Sequence, residues 1–103
     1  MTYTVRVLAK AEDDVEVILT WLRERSPQGA ATWLKRFIDA CEALKTDAAR
    51  WPLAPESSEF DYPTQQFIFK TPRGRKYRIL YTIVGDEVRV LRVRGPGQDL
   101  ITP

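Results

Sequence analysis

Residues Arg73 to Arg94 read RGRKYRILYTIVGDEVRVLRVR, and the interpretation of this stretch decides the fold. Two runs rich in β-branched and aromatic residues, Tyr77 to Val84 and Glu87 to Val93, flank Gly85-Asp86. A pair that tolerates positive φ suits a two-residue turn, so the stretch is expected to form a β-hairpin. With those two residues as the loop, Val84 faces Glu87. One side of the ribbon then pairs Ile83 with Val88, Tyr81 with Val90, Ile79 with Arg92 and Tyr77 with Arg94. The other side pairs Thr82 with Arg89, Leu80 with Leu91 and Arg78 with Val93. The first side has the apolar middle and is expected to meet the core. The second, with Arg78 and Arg89, is expected to be more open.

The same segment concentrates charge. Between residues 70 and 94, the cations Lys70, Arg73, Arg75, Lys76, Arg78, Arg89, Arg92 and Arg94 are set against Asp86 and Glu87 only, a net of +6 in a chain whose total is +2. Such an imbalance points to a localised anion-binding surface, most simply for nucleic acid. The plainer reading is a solvated sheet face whose arginines guard an exposed edge against aggregation.

At 103 residues the chain is expected to be one domain spanning 1–103. Its 44% hydrophobic and 29% charged content is that of a folded globular protein. No apolar run approaches the ~20 residues that cross a bilayer, and MTYTVRVLAK lacks a signal-peptide core, so no membrane partner is expected. A single cysteine, Cys41, forms no internal disulfide and makes the reducing cytoplasm the expected compartment. The chain contains no histidine. With a single cysteine, that argues against a zinc or iron site and removes the commonest general acid-base; no metal or cofactor is expected.

Working outward, Tyr3 to Leu8 alternates as a first strand. Ala11, Val15, Ile18 and Leu22 recur at helical spacing from about Lys10, with Glu12, Asp13 and Asp14 at the start and Arg23 and Arg25 at the end, a polarity that suits the helix dipole. Ser26-Pro27 caps a second helix running to about Lys45, with Ala30, Leu34, Phe37 or Ile38, Cys41 and Leu44 as its apolar stripe. The short link predicts an antiparallel helical hairpin covered by a sheet. Cys41 reads as a small core residue. Trp21 and Trp33 read as packing residues or as rim anchors for a partner. From Asp47 to Pro63 the periodicity is lost; Trp51 and Leu53 are expected to fasten this proline-rich, mostly acidic connection to the body. Thr64 to Lys70 is a strand, Pro72 and Gly74 bracket a turn, and Gly95-Pro96-Gly97 ends the sheet before a short tail. The fold class is therefore α+β, ordered β-α-α-β-β-β, with a mainly antiparallel sheet and a helical hairpin on one face.

Ala11 to Asp14 opening the first helix, Ser26-Pro27 with Ala30-Ala31 opening the second, Leu44 before a proline-containing loop, the strand Tyr77-Arg78-Ile79-Leu80-Tyr81, and Val90-Leu91-Arg92-Val93-Arg94 closing the sheet follow one another over nearly the whole chain. In this order they resemble the RelE/ParE toxins of type II toxin-antitoxin (plasmid-stabilisation) modules. The resemblance implies a basic concave surface opposite the helices and a cognate antitoxin as partner. It also implies one of two targets: DNA gyrase, inhibited by binding as in ParE-like members, or ribosome-bound messenger RNA, cleaved as in RelE-like members. In the ribonuclease branch Arg78 would be the catalytic arginine, with Lys70 assisting.

The chain departs from that branch in having Gly95-Pro96-Gly97 where relatives carry a histidine or further cation, and in lacking a tyrosine-bearing extension. Tyr77 and Tyr81 fall on the side of the ribbon opposite Arg78, and a base for attack by a 2′-hydroxyl is hard to find, since Glu87 lies at the hairpin tip and a lysine would need a depressed pKa. The expected function is thus growth inhibition by binding gyrase, with an endoribonuclease or a non-toxic nucleic-acid-binding module as alternatives. The expected target surface is Lys70, Arg73, Arg75, Lys76, Arg78, Arg89, Arg92 and Arg94. The expected antitoxin surface is an apolar groove near Trp21 or Trp33, with a strand added to a sheet edge.

Overall fold

The computed structural model describes residues 2–72 and 75–96. Arg73 and Gly74 of the expected turn, Gly97, and the tail from Gln98 to Pro103 lie outside the described residues. The elements are β1 (Thr4–Val7), α1 (Ala9–Arg25), α2 (Pro27–Asp47), two 3-10 turns (Ala48–Arg50 and Pro55–Glu59), β2 (Gln65–Lys70), β3 (Lys76–Val84) and β4 (Glu87–Arg94). They build the expected α+β fold, a sheet ordered β1-β4-β3-β2 in which β1 runs parallel to β4 and the remaining pairs are antiparallel.

Each helix starts and stops for local reasons. Leu8, whose N–H bonds to the Val90 carbonyl at 3.0 Å, carries the chain directly from β1 into α1. The Ser26 hydroxyl accepts from the Gly29 N–H at 3.0 Å with Pro27 at the first position of α2, so one serine ends one helix and caps the next. Ala11, Val15 and Leu19 of α1 and Ala30, Trp33, Phe37, Ala40 and Leu44 of α2 are buried against Phe69, Tyr77, Ile79, Tyr81, Val88, Val90 and Val93 of the sheet. Trp33 stacks on Phe37 and meets the edge of Tyr77, both at 5.5 Å between ring centres, and Phe69 stacks on Tyr77 at 5.6 Å. Within the expected stripe of α2, Leu34 and Cys41 are only partly buried and Ile38 is exposed. The stripe is rotated so that Trp33 and Ala40 lead it.

The hairpin turns at Gly85, whose φ is +63°, and keeps the expected register from Val84–Glu87 to Tyr81–Val90. There it slips. Leu80 pairs with Arg92, Ile79 with Val93 and Arg78 with Arg94, leaving Leu91 as the extra residue of a β-bulge. A regular ladder would have aimed Arg92 and Arg94 at the core. Burying two guanidinium groups there without partners is far more costly than one bulge, and the slip brings Val93 inward instead.

The other side of the sheet is covered, contrary to expectation. Residues 48–64 cross it as a strap. Leu80 is fully buried against Ala54, and the buried Thr82 hydroxyl donates to the Pro63 carbonyl at 2.8 Å. Apolar residues on that side, Leu80 and Leu91, need a cover, and the proline-rich strap has carbonyls that need donors. Gln65 supplies two more, from Nε2 to the Ala48 and Trp51 carbonyls at 3.0 and 2.8 Å, and the Tyr81 hydroxyl donates to Ala48 at 2.6 Å. Trp51 packs on Phe67 at 4.9 Å as anticipated. Leu53 instead holds by its backbone, bridging to Gln65, while its side chain is exposed.

Candidate functional site

The strap decides what Arg78 does. Arg78 projects from the middle of β3 onto the covered face, where Nη1 and Nη2 donate to Glu56 Oε1 and Oε2 at 2.9 and 2.7 Å; Nη1 also donates to Gln66 Oε1 at 3.0 Å. The fork-to-fork pair is nearly dry, with side-chain exposures of 19% for Arg78 and 1% for Glu56. Arg94 lies directly across the ladder from Arg78, so the carboxylate also offsets a like-charge cross-strand contact.

Two further arginines of the expected surface are held by acids. Arg92 donates through Nε and Nη2 to the two oxygens of Asp14 on α1 at 2.8 and 2.9 Å, and the Val93 N–H donates to the same carboxylate at 2.9 Å. β1 ends opposite Val90, so Asp14 satisfies a backbone donor that has no strand beside it. Donating these hydrogen bonds to Asp14 raises the Arg92 pKa against the effect of burial. At the hairpin tip Arg89 Nε donates to Glu87 at 2.6 Å, with Arg6 at 3.8 Å. The Arg89 hydrogen bond is the main reason that the Glu87 carboxyl lies below its usual pKa.

A second set of cations is left bare. Lys70 and Lys76 face each other across the β2–β3 ladder, both exposed, and neither has a carboxylate partner among the described residues. Arg75 falls between them in the chain and lies 5.9 Å from the centre of the Trp21 ring; Arg25 stacks on that ring at 3.7 Å. Arg73 lies outside the described residues. Thus Lys70, Arg75 and Lys76 lie together at one end of the sheet, and Arg78, two residues along β3 from Lys76 and on the same face, differs from them in being paired with a carboxylate, as Arg89 and Arg92 also are.

Beside this turn opens a groove of about 560 Å³, lined by Trp21, Leu22, Arg25, Trp33, Arg75 and Tyr77 among others. Trp21 is 44% exposed, whereas Trp33 is 1% exposed and forms the floor as part of the aromatic core. The edges of the sheet are β1 and β2, with β4 in the interior. On β2 the strap occupies the edge only as far as Gln66, whose N–H bonds to Pro52 at 3.0 Å.

Tyr77 and Tyr81 are buried on the helix side, opposite Arg78, and burial raises both hydroxyl pKa values. Cys41, half-buried in α2, has its thiol pushed up to about 11 by burial. Among the described residues no three acids, cysteines or histidines converge as a metal site, and no helix is long and apolar enough to cross a membrane.

Sequence reasoning missed Glu56, Asp14 and Gln66. Asp14 carried a signal: it lies three residues after Ala11 and four before Ile18, inside the apolar stripe of α1, where an acid needs a buried cation. Glu56 had only the acidic excess of the strap set against the basic hairpin.

Comparison with known proteins accounts for the arrangement. Residues 5–100 match the family described as the ParE toxin of the type II toxin-antitoxin system parDE. Toxin RelE1 of Caulobacter vibrioides is 30% identical over 94 residues, which cover 90% of this chain and 92% of that protein. A solved structure of the chromosomal ParDE system from P. aeruginosa superposes with a TM-score of 0.68 over 91% of this chain and 96% of its own, at 17% identity, a likeness of fold. With the family matched across almost its entire length, the chain belongs to the ParE toxins of type II toxin-antitoxin systems, proteins paired with a cognate antitoxin.

Proposed function

We propose that this toxin arrests growth in the cytoplasm by binding DNA gyrase without cutting nucleic acid, and that its antitoxin occupies the groove at Trp21 and Trp33. One observation carries the reading. The arginine that a ribonuclease of this fold would use, Arg78, is bonded through both Nη atoms to Glu56, so its charge is already spent. Tyr77 and Tyr81 lie across the sheet from it, too distant in facing to hand a proton to the same phosphate. The target surface is then led by Lys70, Arg73, Arg75 and Lys76, with Arg94 and the carboxylate-paired Arg78, Arg89 and Arg92 contributing shape. For the antitoxin, the free end of the β2 edge from Ile68 to Lys70 accepts an added strand that continues into the groove, where an apolar side chain meets Trp33 and Tyr77.

A second reading, cleavage of messenger RNA on the ribosome by Arg78 with Lys70, Arg73 and Arg75, draws on the name of the Caulobacter relative. Inducing the chain without its antitoxin separates the two. Growth arrest with a DNA-damage response and intact messages is expected; codon-positioned cuts in the messages would overturn the gyrase reading, and unchanged growth would remove both.

A further inference from the structure

We propose that Glu56 is a specificity determinant: a carboxylate supplied by the chain itself that occupies the anion seat of Arg78 and Gln66 and closes this face of the sheet to nucleic acid. The inference deepens the reading above and rests on it for its biological meaning. The geometry is that of an arginine holding a phosphate, two parallel N–H donors at 2.9 and 2.7 Å to two oxygens, with a carboxylate in the phosphate's place. Gln66 Oε1 accepts at 3.0 Å from the same Nη1, fixing the guanidinium plane.

Glu56 is not placed there by Arg78 alone. The 3-10 turn that carries it is tied down on either side: Ala54 N–H bonds to the Thr64 carbonyl at 2.8 Å, Thr64 N–H to the Ser57 hydroxyl at 2.9 Å, and the Thr82 hydroxyl to Pro63. An external phosphate reaching Arg78 would have to displace a carboxylate that is 1% exposed and leave it buried without its partner. The seat is therefore filled and guarded by the same residue, and polyanions meet only the bare cations of the β2–β3 turn.

The test measures affinity for a fluorescein-labelled single-stranded oligouridine RNA by anisotropy, with the native state of each variant checked by circular dichroism. The wild type is expected to bind weakly, through the cations of the β2–β3 turn. Glu56→Gln keeps the size of the side chain and removes its charge; it is expected to bind about tenfold tighter at low salt, with a log K against log salt slope steeper by about 0.7, one extra phosphate contact. The double variant E56Q/R78Q is expected to lose that gain. A folded Glu56→Gln protein with unchanged affinity would overturn the proposal, as would a double variant that keeps the gain. Should Glu56→Gln not fold, titrating the wild type with the same RNA by NMR decides: the Lys70 and Lys76 amides should shift and the Arg78 Nε–H should not, and movement of the latter rejects the idea. Message cleavage in cells, which would sink the gyrase reading, is scored separately from this affinity.

Discussion

Two positions on one strand, Arg78 and Lys76, treat positive charge in opposite ways. Arg78 is wrapped by a buried glutamate and a glutamine, and its neighbours Arg92 and Arg89 each have a carboxylate of their own. Lys76, two residues earlier, looks across the ladder at Lys70 and meets no acid among the described residues. A basic stretch of sequence thus resolves into an internal set that organises the fold and a terminal set without carboxylate partners among the described residues. Charges dense enough to suggest one surface are divided by the strap and by α1, and only the second set keeps a field that reaches into solvent.

The comparison can be broken most directly at Glu56. Glu56→Ala leaves a largely buried guanidinium opposite Arg94 and should cost about 3–5 kcal/mol in urea unfolding; a loss below about 1 kcal/mol would mean the pair is no more than a surface contact. Asp14→Ala comes next, because three donors lose one acceptor at a more hydrated site. The expected loss is about 2–3 kcal/mol, and it should exceed that of Arg92→Ala, which leaves the Val93 N–H bonded. The smallest effect belongs to the bare end. Lys70→Glu turns a like-charged cross-strand pair into an opposite one and should gain about 0.2–1 kcal/mol in thermal unfolding. Growth arrest should weaken in the same variant, since the unfavourable contact is retained for a partner. A Lys70→Glu protein that is less stable and equally toxic would place Lys70 with the structural set.

Much of the fold was legible from local signals. The serine-proline cap, the two helical stripes and the Gly85 turn each need only a few neighbouring residues to be read, and they fixed the order of elements. What escaped were relations between segments distant in sequence. The bulge at Leu91 depends on where Arg92 finds a carboxylate, which is on α1. The cover over Leu80 depends on a strap with no periodicity of its own. The site suffered most for the same reason: the cations could be counted from the sequence, but whether a given arginine was spoken for turned on Glu56 and Asp14, which lie 22 and 78 residues from their partners. Trp33 was legible as an aromatic on the second helix; that it floors the groove while Trp21 stands at its rim required the rotation of α2 to be known.

The placement of β1 has a consequence for how the protein comes into being. Among the described residues its sheet neighbour is β4, with Thr4 opposite Glu87, so β1 has no strand to pair with until the chain has been made as far as β4. While the helices and the strap are being made they therefore lack the completed sheet on which they will pack. A message truncated ahead of Glu87 would yield a product with β1 unattached, and so a chain exposed to proteolysis.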